Sequence, residues 1–533
     1  MKHFLSRHQD LFVIIILVTI ARGLMLLNDG LFWDDWTLYK VDDGFLFDHF
    51  LQAGSPLKGI MWVLFNDHPI VNRFITFFSF LASVILLYKI LSTIKEITSL
   101  DRLILVLLYA LFPLNNAMIA MSLTPHMVCH FLFYLGAYVL VRFIEDKRKK
   151  AYQLGALLCF FISFQIDSFL MFYAMPFCLI MYHEKIFQGF PQSLKRLRPY
   201  WSFIILPFFY WVVKQTLLKP YGYFEGYNEI SFKNLSRYHQ DVFDSFYNSF
   251  IIPLTTIFNN AESSALMYYF YYFGWIFIVL YLFFRNRPIQ EHQKVSIFLL
   301  IGVLGYLAAV TPYLATRTVY GAFGVGWYSR YQIHISLSAA FILYYGLKWF
   351  LEEFSLSKKF LPFLVSIILA GFTLSNILNC FDFQRDWFKK LAIIEAIKYN
   401  EIVIDHTVFL IKDEATSFNV LGEGYRSSEL IGLMNYAFNY DEKRIAMNYS
   451  ENVDVDFHVN DFVKNPIMLN LRNFKPKTPV YLIEVNPQLD LSIKRTYSIL
   501  LSRFFDKNKF VNKIKSFLDM KISPYSFKQL KRN

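Results

Sequence analysis

Long apolar stretches alternate with short polar connectors through the first 380 residues of this 533-residue chain. A helix needs about 20 apolar residues to cross a bilayer, and eleven stretches approach or exceed that length. We predict spans near 11–27, 70–90, 103–121, 127–144, 151–166, 168–183, 201–217, 265–284, 295–314, 331–348 and 360–379. The pair at 151–183 is the least regular, because only "QID" separates two short apolar halves.

The pattern changes after residue 380. Charged residues become frequent, and short β-like runs appear, namely "EIVIDHTVFLI", "NPIMLNL" and "TPVYLIEV". Short apolar runs of this kind are typical of strands. The chain is therefore predicted to be a polytopic α-helical membrane protein with about eleven transmembrane helices (1–380) and a small α/β extracytoplasmic C-terminal domain (381–533).

Composition supports the membrane assignment. The chain is 55% hydrophobic, 19% aromatic and only 18% charged, whereas roughly a quarter of the residues in a soluble domain are charged. Its four cysteines, at positions 129, 159, 178 and 380, have neither metal-site nor disulfide spacing. The net charge of +12 falls in clusters between apolar runs, a pattern that indicates cytoplasmic loops rather than a nucleic-acid surface.

The basic clusters also predict the orientation. They precede the first span and follow the second, fourth, sixth, eighth and tenth spans, so all of them fall on one face, and an excess of Lys and Arg marks the cytoplasmic side. We predict a multi-pass protein of the cell inner (plasma) membrane with a cytoplasmic N-terminus. The first run is interpreted as a span rather than a signal peptide, because no small-residue cleavage site follows it. Loops 28–69, 122–126, 217–264, 315–330 and the tail then lie outside.

Two adjacent carboxylates follow the first span, in "DGLFWDDWTLYK". Asp34 and Asp35 lie between Trp33 and Trp36, and tryptophan favours the membrane interface. They could be solvated loop residues, or one could cap a short helix. The chemical alternative is that one carboxylate acts as a general base on an acceptor hydroxyl while its neighbour orients the acceptor or shares a cation.

Basic and aromatic groups near the same face are candidate substrate ligands. Arg330 and Tyr331 begin the tenth span, and a guanidinium fork matches phosphate oxygens and stays charged at any working pH. Snorkelling towards lipid headgroups is the structural alternative. His68 and Arg73, in "NDHPIVNRF", are further candidates for phosphate or sugar contact, or simply begin the second span with Pro69 in its first turn.

Three more ionisable residues fall inside or beside apolar runs. An ionisable group at membrane depth indicates a functional site, so Asp167 is assigned to substrate binding, with an ion pair to Arg22 as the alternative. His126 and His130 are one helical turn apart, but no third ligand lies nearby in the sequence, so we predict no metal site there.

Taken in order, these features resemble the integral-membrane glycosyltransferases of the C superfamily (GT-C). The shared features are the acidic pair in the first outer loop, "FWDDW", the segment "NDHPIV" before the second span, and the Arg330-Tyr331 step. Ile70 replaces the second proline of the family's pattern, and many relatives have Asp-Glu rather than Asp-Asp. The resemblance covers the transmembrane region and the position of a variable extracytoplasmic tail.

The resemblance implies inverting transfer of a sugar from a polyprenyl-phosphate-linked donor to a hydroxyl of a surface glycan or glycolipid at the outer face. It implies the role of base for Asp34 and a supporting role for Asp35. Metal dependence varies within the superfamily, so a divalent cation stays an open question. The expected partners are the lipid-linked donor, the acceptor and membrane lipids, with no nucleic acid.

Two other functions remain as alternatives. A glycan polymerase or ligase usually has key arginines in a large outer loop between late spans, whereas 217–264 holds only Lys219, Lys233 and Arg237 as basic residues. A non-enzymatic flippase for lipid-linked sugars would favour charged residues at the bilayer midplane and two related halves, and neither is evident in the sequence.

Overall fold

The computed structural model describes residues 8–146, 149–185, 195–226, 229, 236–259, 266–288, 295–316, 326–357, 359–440, 443–450, 459 and 479–525. A helix lies within each of the eleven predicted apolar stretches. Five segments are long and apolar enough to cross a membrane: Gln9–Leu27, Pro69–Leu91, Met121–Glu145, Val295–Leu314 and Phe360–Ile397. The other apolar stretches form helices that are shorter or less apolar, so the described residues give a mostly helical fold, compatible with a membrane protein, that has five candidate spans.

The helices of the N-terminal region are α1 (Gln9–Arg22), α2 (Asp35–Leu38), α3 (Asp43–Gln52), α4 (Pro56–Phe65), α5 (Pro69–Leu91), α6 (Ser99–Leu111), α7 (Thr124–Glu145), α8 (Lys150–Ser163), α9 (Ser168–Phe172), α10 (Ala174–His183), α11 (Trp201–Thr216), α12 (Tyr238–Phe246), α13 (Ile252–Asn259), α14 (Leu266–Arg285), α15 (Val295–Leu314), α16 (Ile335–Glu353) and α17 (Phe360–Ile397). Short 3₁₀-helices cover Gly23–Leu27, Asn116–Ile119, Met121–Leu123, Arg198–Tyr200, Gly222–Phe224 and Gly326–Gln332, and Tyr247–Ile251 is π-helical.

The third predicted span, 103–121, is wrong in its second half, because helix α6 ends at Leu111. Proline disfavours the helical conformation in the residue that precedes it. Phe112 precedes Pro113 and is accordingly extended, with a ψ of 125°. The chain then continues through 3₁₀ turns until α7 begins at Thr124. This irregular segment, residues 112–123, contacts loop 28–69, which is called the first outer loop after its predicted side of the membrane. The segment helps to build the candidate site.

The tail contains a small four-stranded sheet with accompanying helices. Its strands are β1 (Val408–Asp413), β2 (Ile445–Asn448), β3 (Tyr481–Pro487) and β4 (Leu518–Pro524). They are ordered β2-β1-β3-β4, with β1 parallel to both β2 and β3 and with β4 antiparallel to β3. The accompanying helices are α18 (Glu401–Asp405), α19 (Ser427–Ala437), α20 (Ile493–Phe505) and α21 (Lys507–Lys515). The β-like run at 465–471 lies outside the described residues.

The predicted domain boundary at residue 380 has no structural break. Helix α17 runs through that position for 38 residues, about 57 Å at 1.5 Å per residue, which is nearly twice the roughly 30 Å hydrocarbon thickness of a bilayer. Its second half carries the buried residues Trp387, Lys389 and Lys390, which contact the tail and the first outer loop. One continuous helix therefore links the bundle to the sheet, and the sheet region begins after Ile397.

Connectors predicted for the outer face contact one another. The backbone N–H of Tyr221 donates to the carbonyl of Gln52 at 2.9 Å, which joins loop 217–264 to loop 28–69. The N–H of Ala117 donates to Ser329 Oγ at 2.8 Å, which joins the irregular segment to the 3₁₀-helix before α16. These loops are therefore gathered at one end of the helices.

Connectors predicted for the cytoplasmic face meet at the other end. Arg287 pairs with Asp10 at 2.8 Å, which joins the connector after α14 to the start of α1. Lys348 pairs with the buried Asp101 at 2.6 Å, which joins the end of α16 to the start of α6. Both ion pairs join segments that the basic clusters assign to one face.

Candidate functional site

Side chains of the tail hold the first outer loop in place. Asp29 accepts a hydrogen bond from Trp387 Nε1 at 2.6 Å and forms an ion pair with Arg503. Four residues later, the backbone N–H of Trp33 donates to Glu429 Oε1 at 3.3 Å. The loop that carries the two carboxylates is thus held in place by α17, α19 and α20.

Helix α19 packs directly on this loop at a glycine. A Cβ atom added to Gly432 would lie 2.7 Å from Trp36 Cβ and 2.9 Å from the Trp36 carbonyl oxygen, so only glycine allows this approach. Trp33 has a φ of 51°, a left-handed conformation that bulky residues rarely adopt. Strained backbone of this kind is concentrated at functional sites, and here it directly precedes Asp34.

Asp35 is a fully buried anchor. Its carboxylate accepts hydrogen bonds from the backbone N–H groups of Phe32 at 3.2 Å, Met121 at 3.0 Å and Ser122 at 2.9 Å. Burial raises the pKa of Asp35, and the charge of Arg73 and these three donors oppose that rise. No part of the carboxylate is exposed, so Asp35 fixes the loop against the irregular segment rather than facing a substrate.

Asp34 has the opposite environment, since 51% of its side chain is exposed. Desolvation by the surrounding protein raises the pKa of Asp34, the charges of Arg330 and then Arg426 lower it, and the neighbouring Asp35 adds to the rise. Arg426 Nη1 lies 4.0 Å from Asp34 Oδ1. Asp34 is therefore an accessible carboxylate between two arginines.

Arg330 is held among aromatic rings in the 3₁₀-helix Gly326–Gln332. Its guanidinium carbon lies 4.1 Å from the centre of the Trp327 ring and 4.5 Å from that of Tyr331. Its Nη2 donates to the Tyr331 hydroxyl at 2.6 Å. The half-buried guanidinium is thus aimed by its neighbours, as expected for a group that binds an anion at a defined place.

Asp167 lies near Arg330, but its ion-pair partner is Lys214 and not Arg22, the partner considered in the sequence analysis. Lys214 Nζ lies 3.2 Å from Asp167 Oδ1, whereas Arg22 donates to the carbonyls of Ala110 and Phe112. The Asp167–Arg22 ion pair is therefore wrong, because α1 places its arginine against the end of α6 and α11 supplies the cation instead.

Lys58 is a cation that sequence reasoning missed. Burial lowers the pKa of Lys58 to about 8, with Asp167 opposing that effect and with Lys214 and Arg330 adding to it. Lys58, Lys214, Asp167 and Arg330 therefore lie within electrostatic range of one another. Nothing in the short helix "PLKGIMWVLF" distinguishes this lysine from an ordinary surface residue.

His68 and Arg73 occupy different places. His68 is exposed at the start of α5, where its carbonyl accepts the Asn72 N–H at 3.1 Å, and no contact within the described ranges connects it to Asp34. Arg73 is fully buried and donates from Nη2 to the Gly30 carbonyl at 2.7 Å. Arg73 therefore supports the first outer loop from below.

The histidine pair and the acidic residues give no metal-binding cluster within the part of the chain that the structure describes. His130 is fixed by hydrogen-bonding contacts of 3.1 Å from its Nε2 to the Tyr109 hydroxyl and from its Nδ1 to Ser83 Oγ. The histidine contributes to packing inside the bundle through these contacts.

A small polar cleft opens beside Trp33, between the first outer loop and the tail. Its walls include Lys390, Glu423, Tyr425 and Arg426. None of these tail residues belongs to a recognisable motif. Each is more than 350 positions away from Trp33 in the sequence, and only the fold brings it to the loop. Two residues relate the cleft to Asp34: Trp33 precedes Asp34 in the chain, and Arg426 Nη1 lies 4.0 Å from its carboxylate.

Comparisons with protein-family models, with curated proteins and with solved structures found no match to this chain.

Proposed function

We propose that this protein is a membrane glycosyltransferase of the GT-C type, which transfers a sugar from a polyprenyl-phosphate-linked donor to a hydroxyl of a surface glycan or glycolipid at the outer membrane face. The observation that carries this proposal is the environment of Asp34. It is an accessible carboxylate flanked by Arg330 and Arg426, in a loop that a buried neighbour and the tail hold rigid.

The proposed roles follow from that geometry. Asp34 takes the proton of the acceptor hydroxyl as its oxygen attacks the anomeric carbon of the donor sugar. The bond from that carbon to the phosphate oxygen breaks, and the polyprenyl phosphate leaves with its charge next to Arg330. A single displacement from the opposite face inverts the anomeric carbon. Asp35 is a positioning residue, because no part of it reaches a substrate.

The two lysines near Arg330 suit the same reaction. Lys58 and Lys214 lie near Arg330, and Asp167 balances one of their charges. An excess of positive charge is what an anionic phosphate on a lipid carrier needs. The cleft beside Trp33, which combines aromatic rings with polar groups, is proposed to receive the acceptor, since pockets that bind small molecules join apolar walls to a few polar groups.

The test is a transfer assay with purified protein in vesicles, supplied with a panel of polyprenyl-phosphate sugars and with surface glycan from the source cells. We expect a mass increase of one sugar on the acceptor and release of polyprenyl phosphate. Arg330→Ala is expected to raise the KM for the donor, and Arg330→Lys to restore part of it. Arg495→Ala, at an exposed arginine of α20, is the matched control.

Two results would count against the proposal. Movement of the labelled lipid between leaflets without any product would identify a flippase. Joining of two lipid-linked glycans, with no transfer of a single sugar, would identify a polymerase or ligase.

A further inference from the structure

Helix α20 presents an apolar stripe on its open side. The stripe repeats every three or four residues, so its members share one face of the helix. It consists of Ile493, Tyr497, Leu501, Phe504 and Phe505, all of which are exposed. Phe505 is 84% exposed, although phenylalanine is among the residues most often fully buried. A continuous exposed stripe marks a surface that meets another apolar phase.

The end of this stripe lies next to the end of a candidate span. Arg503 forms an ion pair with Asp29, and Asp29 is two residues beyond Leu27, where the segment Gln9–Leu27 ends. Phe504 and Phe505 directly follow Arg503. Two exposed rings of the tail, Phe504 and Phe505, are therefore held at the level where the first candidate span ends.

Basic residues surround the stripe. Residues 489–515 contain seven Lys and Arg but only two Asp. Lys494, Lys507 and Lys509 are exposed on α20 and α21. An apolar helix face with a basic border is typical of a helix that lies in the headgroup region of an anionic membrane.

We propose that the stripe of α20 inserts into the headgroup layer of the outer leaflet, with Phe504 and Phe505 reaching the acyl boundary and the lysines of α20 and α21 contacting anionic headgroups. The tail therefore contacts the bilayer through α20 and stays at a fixed distance from the membrane surface. That height sets the position of Glu429 and Gly432 over the first outer loop. The inference depends on membrane embedding and does not rest on the proposed glycosyl transfer.

The experiment adds one tryptophan to the full-length protein in anionic vesicles whose acyl chains carry bromine, which quenches tryptophan by contact. The test variant is Phe505→Trp, and Leu501→Trp is a second position on the same stripe. The control is Tyr399→Trp, because Tyr399 is 68% exposed on the same tail but lies beyond the end of α17 at Ile397, which is about 15 Å along the helix axis from Trp387, the residue that contacts Asp29. Emission of the nine natural tryptophans is subtracted with the unsubstituted protein.

We expect the added emission at 505 and 501 to be lost in brominated vesicles and the emission at 399 to be retained. Charge reversal of Lys494, Lys507 and Lys509 to Glu should weaken the quenching at 505 in anionic vesicles. Unquenched emission at 505 would overturn the proposal. So would an emission that changes with the number of protein molecules per vesicle and not with bromination, because a second copy of the chain would then cover the stripe.

Discussion

Asp34 and Asp35 are neighbours in sequence, and their different surroundings predict opposite effects of substitution. Asp35→Asn removes the charge opposite Arg73 and one acceptor of the backbone N–H groups of Met121 and Ser122. Leaving a buried backbone donor without its acceptor costs about 1–3 kcal/mol, so the unfolding temperature in detergent should fall. Asp34→Asn should change the free energy of unfolding by no more than about 0.5 kcal/mol. Equal destabilisation by the two variants would contradict the assignment of Asp35 as the anchor.

The position of Arg426 beside Asp34 predicts an effect on how the transfer rate depends on pH. Asp34 must be ionised to accept a proton, so the transfer rate should fall as the pH decreases through its pKa, which burial raises above 3.8 and Arg426 lowers. Arg426→Gln removes a charge that favours the ionised form. The pKa of Asp34 then rises further, and the acid limb of kcat/KM moves to higher pH. Arg495→Gln, on an exposed arginine of α20, should leave the limb in place; an unmoved limb in both variants would contradict the pairing.

Single residues of the site could be predicted only in part. The flanking tryptophans and the nearby apolar run single out the acidic pair, and the start of a late span singles out Arg330. Neighbouring residues in the sequence do not reveal which carboxylate is buried, because two of the three donors to Asp35 come from residues 86 and 87 positions away. Arg426 stands in a tail without motifs, and only the folded chain brings it to Asp34.

At the level of elements, the contact of α19 with the first outer loop depends on a missing side chain. Gly432→Ala would place a Cβ 2.7 Å from Trp36, which should destabilise the protein by about 1–3 kcal/mol. Because Trp36 lies two residues after Asp34, transfer should also slow in the folded fraction. Gly346→Ala is the control, since its Cβ meets nothing within 4 Å and alanine favours helix. Equal melting temperatures and rates for the two variants would contradict a tight contact at α19.

Elements were predicted well where an apolar run coincides with a helix and poorly at their ends. The run 103–121 contains Pro113, which ends α6 although the residues stay apolar. Composition changes at residue 380, yet α17 continues to Ile397, because the polar side chains of its second half are satisfied by the tail. Lys389 donates to Asp413, Ala415 and Asn419, and sequence alone does not reveal that a charged stretch is buried.

For the whole molecule, the grouping of connectors into two ends predicts opposite accessibility to a membrane-impermeant thiol reagent in intact cells. Cysteines introduced for Asp43 and Lys507 should react, whereas one introduced for Glu353 should react only after permeabilisation. The exposed Cys178 is replaced by Ser in every variant to remove its background. Labelling of position 353 in intact cells, with position 43 protected, would reverse the orientation and place the candidate site in the cytoplasm.

The central claim is that Asp34 takes the proton of the acceptor, and the initial rate of sugar transfer by folded Asp34→Asn protein tests it most directly. General bases contribute about 10²–10⁴-fold to a rate. The account predicts a loss of at least about a hundredfold, with donor KM and unfolding temperature unchanged. A rate close to that of the unsubstituted protein would contradict it.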